Sequence, residues 1–178
     1  MKRFLIVLSA AAAFCCCSKG YFDMDATYAG VWLGDAGLQE YCLASFDSNS
    51  DGALSMSELA AVRSMDCARR NIGKLNLEFF PNLDTLCCED NRLVRLDLSP
   101  VPGLRYLNCS GNYLTDLNVS VTKVDKLYCC PMADPQGSNI LEYVYVGRSQ
   151  NIEGVTSNRS AASPKRVPDE TTVIAVPD

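Results

Sequence analysis

The sequence contains no histidine, only one tryptophan and no apolar run long enough to cross a lipid bilayer. The absence of histidine excludes most zinc and haem sites and all histidine-based acid–base catalysis. Basic residues are also scarce: 16 lysines and arginines stand against 21 aspartates and glutamates, for a formal charge of −5. Nucleic-acid partners require a basic surface and are therefore not expected. Because the sequence also shows no nucleophile–base pair and no glycine-rich phosphate loop, we do not expect an enzyme.

The N-terminus has the pattern of an export signal that ends in cysteines. A positively charged start precedes an apolar run over residues 4–14, which is too short for a stable membrane span. Cys15, Cys16 and Cys17 follow, and a cysteine at this place resembles a bacterial lipobox, in which the cysteine is acylated. We predict a signal peptide over residues 1–16 and lipidation of Cys17, with Cys16 or Cys15 as alternatives. The prediction is an outer-membrane lipoprotein of the cell envelope, on the surface or the periplasmic side; the other interpretation is a plain secretory signal.

A calcium-binding pattern occupies the stretch Phe46–Leu59, which reads FDSNSDGALSMSEL. It fits the twelve-residue EF-hand loop D-x-[DN]-x-[DN]-G-x5-E. Calcium takes about six to eight oxygen ligands, so the loop needs inward oxygens at alternate positions and a glycine where it bends. Gly52 supplies the bend. The six predicted calcium ligands are Asp47, Asn49, Asp51, Ala53 (through its carbonyl), Ser55 (through water) and Glu58.

Helical spacing on both sides of the loop predicts an EF-hand-like helix–loop–helix over residues 35–61. The stretch from Ser55 to Glu58 resembles a helix start. The alternative is a polar surface turn that binds no metal. EF-hands usually occur in pairs and the sequence shows no second loop, so we expect calcium to have a structural role rather than a signalling one.

Leucine-rich repeats follow the loop. The unit L-x-x-L-x-C-x-x-N-x-L-x-x-L-x-L begins at Leu83, and a closely similar unit begins at Leu104, 21 residues later. A shortened unit begins at Val124, a first unit with arginine in place of asparagine begins at Val62, and residues 141–146 are predicted to be the last strand. The pattern predicts an α/β solenoid of about four stacked units. The helix–loop–helix would cover its N-terminal end.

Four cysteines stand at the same position of successive units, namely Cys67, Cys88, Cys109 and Cys129. We predict that they form a buried column of small apolar side chains. A metal site or disulfides are the alternative, because the compartment can be oxidising. Cys42 is expected to pack in the first helix, whereas Cys87 and Cys130 face the other side of their strand and receive no role.

The outward-facing strand positions of such a solenoid form an exposed concave face. Tyrosines gather there towards the C-terminal half, and tyrosine is common on binding surfaces. The alternative is the ordinary preference of tyrosine for strands. The predicted ligand-binding residues are Tyr106, Lys126, Tyr128, Tyr143 and Tyr145.

The domain boundaries follow from these patterns. Residues 17–34 are predicted to be a linker from the anchor, and residues 62–155 the leucine-rich repeats. Residues 156–178, rich in serine, proline and charge, are predicted to be a flexible tail with one short strand over residues 171–176.

The combination resembles a family of bacterial leucine-rich-repeat lipoproteins from Gram-negative anaerobes. In that family a similar N-terminal segment and an EF-hand-like loop lead into L-x-x-L-x-C-x-x-N repeats and LDLS-type turns, as in the stretch 96–99 here. The resemblance covers residues 38–146 and implies a surface or periplasmic binding module, not an enzyme. We therefore expect a calcium-stabilised, membrane-tethered module that binds a protein or a glycan. The alternative function is a structural component of a cell-envelope or surface complex.

Overall fold

Short parallel strands recur along the chain at the spacing of the leucine repeats. The computed structural model describes residues 30–129, 141–152 and 172–176. Its helices are α1 (Ala36–Phe46) and α2 (Met56–Ala61), and its strands are β1 (Ser64–Asp66), β2 (Thr85–Cys87), β3 (Tyr106–Asn108), β4 (Asp116–Asn118), β5 (Lys126–Tyr128), β6 (Tyr143–Gly147) and β7 (Thr172–Val176). Neither of these helices has the length and apolar character needed to cross a membrane. The predicted signal peptide, Cys15, Cys16, Cys17 and Cys130 lie outside the described residues.

Strands β1, β2, β3 and β5 form a parallel sheet in that order, which we call the first sheet. Their central residues, Met65, Leu86, Leu107 and Leu127, stand in register from strand to strand. All four side chains are fully buried. The same repeat position therefore forms one row through the stack, which is the arrangement of a solenoid. The predicted repeat solenoid is confirmed.

The repeat cysteines form a buried column beside this row. Cys67, Cys88, Cys109 and Cys129 are all buried. Burial raises the pKa of Cys67 to about 12 and that of Cys88 well above its usual value, so both remain protonated. Cys42 of α1 is also fully buried and close enough to add to the rise in the pKa of Cys67. The column thus extends from the repeats into the first helix.

The buried side chain of Asn91 connects its own repeat to the preceding repeat through hydrogen bonds. Its side-chain nitrogen donates to the carbonyl oxygens of Cys88, at 3.0 Å, and of Cys67 in the repeat before, at 2.9 Å. Its side-chain oxygen accepts from the backbone nitrogens of Arg70, at 3.1 Å, and Ile72, at 3.0 Å. The regular spacing of asparagine along the chain therefore has a physical cause, because one buried amide satisfies the backbone of two adjacent turns.

A second parallel sheet has the order β4-β6-β7. Residues 141–146 do contain a strand, but β6 pairs with β4 and not with β5, as the register of Val144 beside Leu117 shows. The C-terminal strand is also part of this sheet, because β7 pairs with β6 along its whole length. The short strand predicted over residues 171–176 is therefore present as β7. The physical reason for the pairing of β6 with β4 is that β4 offers an unpaired edge whose buried Leu117 matches the apolar Val144.

The predicted linker over residues 17–34 is too long at its C-terminal end. Val31 and Leu33 are buried in the same core as the repeats. The backbone nitrogen of Val31 donates to the carbonyl of Leu54 at 2.8 Å. The side chain of Gln39 accepts from the nitrogen of Leu33 and donates to the carbonyl of Val31. Residues 30–34 are therefore part of the folded unit.

Helix α1 closes the open end of the first sheet. Asp35 caps the helix by accepting from the nitrogen of Leu38 at 3.1 Å, and its other carboxylate oxygen accepts from the nitrogen of Gly73 in the first repeat at 2.9 Å. The Tyr41 hydroxyl accepts from the backbone nitrogen of Asp66 in the edge strand β1 at 3.0 Å. The Arg70 guanidinium lies 4.6 Å from the centre of the Tyr41 ring, so arginine at the asparagine position of the first repeat contacts the helix instead of a preceding repeat.

Candidate calcium loop and ligand-binding face

The loop between the two helices bends at a glycine and leads into a capped second helix. Helix α1 ends at Phe46, and α2 begins at Met56 behind Ser55, whose side chain forms a capping box with Glu58. Gly52 has a φ of +81°, a conformation that side chains disfavour, so glycine is required at the bend. Leu54 is fully buried and fixes the loop to the core.

The side chains at the first three ligand positions fold over the loop. Asp47 accepts from the backbone nitrogen of Gly52 at 2.9 Å and from that of Asp51 at 3.2 Å. Asn49 accepts from the nitrogen of Asp51 at 2.9 Å, and Asp51 accepts from the nitrogen of Ala53 at 2.9 Å. These bonds hold three oxygen-bearing side chains against the same short stretch of backbone.

Glu58 joins the two ends of the loop. One carboxylate oxygen accepts from the nitrogen and the hydroxyl of Ser48, both at 2.8 Å, and the other accepts from the nitrogen and the hydroxyl of Ser55, at 2.9 and 2.8 Å. These hydrogen bonds, those to Ser55 foremost, lower the pKa of Glu58 to about 2. The carboxylate is therefore ionised at neutral pH, as a calcium ligand must be.

The donor set of the loop fits a hard cation, since every predicted ligand is an oxygen. Within the described ranges, however, no three carboxylate or thiol side chains already converge around a point that could hold a metal ion. Each of Asp47, Asp51 and Glu58 instead accepts hydrogen bonds from loop amides. A bound cation would use the carboxylate lone pairs that do not accept these hydrogen bonds. Glu58 would give up its hydrogen bonds to Ser48 and bind the metal instead.

The structure divides the five predicted ligand-binding residues between the two sheets. Tyr106, Lys126 and Tyr128 lie on the first sheet, where the two tyrosine rings are 5.6 Å apart and inclined at 41°. Tyr143 and Tyr145 lie on β6 in the second sheet, with their ring centres 6.5 Å apart. The predicted single tyrosine face is therefore wrong, because β6 joins β4. We call Tyr106, Lys126 and Tyr128 the tyrosine face.

A groove that the repeat pattern did not reveal adjoins the tyrosine face. It has a volume of about 410 Å³. Its lining residues are Thr85, Arg105, Tyr106, Asp125 and Lys126. Arg105 and Asp125 lie one residue before β3 and β5, outside the alternation of inward and outward strand positions. The only sequence signal that could have indicated Arg105 and Asp125 is an arginine directly before a strand that carries an outward tyrosine.

At the opposite end of the same strands, acidic side chains bond to neighbouring side chains of the sheet. Arg69 lies 3.0 Å from Asp90 and 3.6 Å from Glu89, and the Asn108 side chain donates to Glu89 at 2.6 Å. Cys87, half-buried between these groups and Tyr106, has a pKa raised mainly by burial. These groups partner one another and leave the tyrosine face and its groove as the open part of the sheet.

Comparison with known proteins adds distant structural likenesses alone. No protein-family model matches the chain, and no curated protein matches it either. Among solved structures, one match is described as the functional domain of InlJ from Listeria monocytogenes, which includes a cysteine ladder. The two share 22% identity with a TM-score of 0.39, over 65% of this chain and 37% of that chain. The assignment of a repeat solenoid rests on the strand register described above.

Proposed function

We propose that this protein is a binding module that takes a protein or glycan ligand on the tyrosine face. The observation that carries the proposal is the contact between the Tyr106 and Tyr128 rings, half-buried on a sheet of in-register strands. Such rings lose little conformational entropy when a ligand covers them, because the sheet already holds them.

Replacing Tyr128 with alanine should weaken ligand binding at least about tenfold, the usual cost of removing a central aromatic anchor. The assay is surface binding of the purified chain to a panel of immobilised polysaccharides and envelope proteins. Tyr113→Ala is the matched control, since Tyr113 is 47% exposed and lies in a turn outside the tyrosine face. Equal loss in both variants, or none in Tyr128→Ala, would place the ligand elsewhere. A stable stoichiometric complex that survives Tyr128→Ala would favour a structural component of an envelope assembly.

We also propose that the loop over residues 47–58 holds one structural calcium ion. Asp47, Asn49, Asp51, the carbonyl of Ala53 and Glu58 would bind it, and Ser55 would contribute through water. The support is the oxygen-only donor set, the bend at Gly52 and the low pKa of Glu58. Calcium would neutralise carboxylates that stand close together and would fix the angle between α1 and α2.

Membrane tethering through Cys17 is the third part of the proposal, and it depends on the sequence pattern alone. The full chain expressed in a bacterial host should incorporate an alkyne-labelled fatty acid, and Cys17→Ala should abolish the label and release the protein from membranes. Label that persists in this variant but is lost in Cys16→Ala or Cys15→Ala would move the anchor to that residue. An unlabelled wild-type chain would indicate a plain secretory signal instead.

A further inference from the structure

The groove beside the tyrosine face is lined by two cations, Arg105 and Lys126, and by one carboxylate, Asp125. Arg105 and Lys126 are both exposed, and neither forms a salt bridge with any residue in the described part of the chain. The neighbouring repeats behave differently: Arg63 lies 3.7 Å from Asp84, and Arg69 lies 3.0 Å from Asp90. The groove therefore holds two positive charges against one carboxylate, that of Asp125. In a chain of net charge −5, this is a local attraction for an anion.

The other residues that line the groove indicate which class of anion it can bind. Thr85 offers a hydroxyl, and Asp125 offers an exposed carboxylate that can only accept hydrogen bonds. A ligand that carries carboxylates alone would be attracted by Arg105 and repelled by Asp125. A ligand with hydroxyl donors next to a carboxylate satisfies both. The Tyr106 ring, which also lines the groove, adds an apolar surface on which the C–H face of a sugar ring can pack.

We propose that the groove binds an acidic glycan, a polysaccharide that contains uronic acid, through its sugar carboxylate and hydroxyls. Arg105 would form a two-pronged contact with the carboxylate, and Lys126 would add charge. Asp125 and Thr85 would bond to sugar hydroxyls, while adjacent sugar rings extend over Tyr106 and Tyr128. This assignment rests on the proposed function, since it names the ligand class of the tyrosine face.

The test is binding of the full chain to oligogalacturonate and oligoalginate, each compared with its methyl-esterified, uncharged form. We expect the acid to bind at least about tenfold more tightly than the ester at low salt, with the difference shrinking as salt is added. Arg105→Gln should remove about tenfold of the affinity for the acid and little of that for the ester. The matched control is Arg95→Gln, an exposed arginine at the repeat position equivalent to Asp116 of β4, away from the groove.

Three results would overturn the assignment. The first is equal binding of acid and ester, and the second is no binding of either uronic-acid oligomer. The third is binding of hexaglutamate as tight as that of oligogalacturonate, which would show that hydroxyls are not recognised. Binding of a neutral glycan or a protein that Tyr128→Ala abolishes but Arg105→Gln leaves intact would preserve the proposed function and reject only the acidic ligand.

Discussion

Asn91→Ala should lower the free energy of unfolding by about 3–4 kcal/mol, because it leaves several buried backbone groups without partners. The Asn91 side chain is 4% exposed and bonds to backbone atoms of two consecutive repeats. Alanine would leave the nitrogens of Arg70 and Ile72 and the carbonyl of Cys67 without hydrogen-bond partners, in a space that water enters poorly. The corresponding fall in melting temperature is roughly 6–16 °C for a chain of this size.

Chemical denaturation followed by circular dichroism measures this loss. Asn76→Ala is the matched control, since Asn76 accepts only one local bond, from the nitrogen of Glu78 at 3.1 Å. We expect the control to cost less than about 1 kcal/mol. Asn91→Asp should be at least as damaging as Asn91→Ala, because a carboxylate oxygen would then face the carbonyls of Cys67 and Cys88. Similar stability of the Asn91 and Asn76 variants would contradict the role assigned to the buried amide.

Calcium should stabilise the chain by about 2.7 kcal/mol at a concentration a hundredfold above its dissociation constant. This corresponds to a rise in melting temperature of roughly 5–11 °C. The effect is expected because the proposed ion would bind the folded loop and not the unfolded chain. Calorimetry in calcium, in magnesium and in a chelator measures it, and the rise should be specific to calcium and absent in Glu58→Gln.

For each variant, the quantity to compare is the rise in melting temperature that calcium causes, not the melting temperature itself. Glu58 accepts four hydrogen bonds from Ser48 and Ser55 without any metal, so Glu58→Gln also weakens the calcium-free loop. Asp97→Asn is the control, since Asp97 is exposed and bonds only to the nearby nitrogen of Ser99. Trp32, the single tryptophan, offers a local readout because its neighbour Val31 bonds to Leu54 in the loop. A calcium-induced rise that survives in Glu58→Gln would refute the proposed ligand set.

The first sheet could be predicted from the sequence because its information is local and periodic. Leucine at Leu86 and Leu107, 21 residues apart, fixes which side of each strand is buried. The cysteine column and the asparagine turns follow from the same period. The loop could also be predicted, since Gly52 and the alternating oxygens lie within twelve residues of one another.

The pairing of the second sheet could not be predicted, because the same spacing occurs twice in each full repeat. The pattern L-x-x-L-x-[CLV] describes both the stretch at 83–88, which ends in β2, and the stretch at 114–119, which contains β4. Residues 141–146, with Val144 at the second leucine position, resemble both stretches equally. The choice between them depends on which edge is open, and that is set by contacts distant in sequence. The groove was missed for a related reason, since Arg105 lies outside the alternation that marks strand faces.

The bonds of the buried amides give the stack a direction. Asn91 reaches back to Cys67, and Asn112 reaches back to Cys88 in the same way, at 2.9 Å in both cases. The repeats that begin at Leu83 and Leu104 thus each bond to the repeat before them through this amide. The first repeat carries Arg70 at the same position, and Arg70 contacts helix α1 instead. Duplication of residues 83–103 would therefore insert a unit whose two ends fit their new neighbours, so the length of the binding surface can change while its N-terminal closure stays the same.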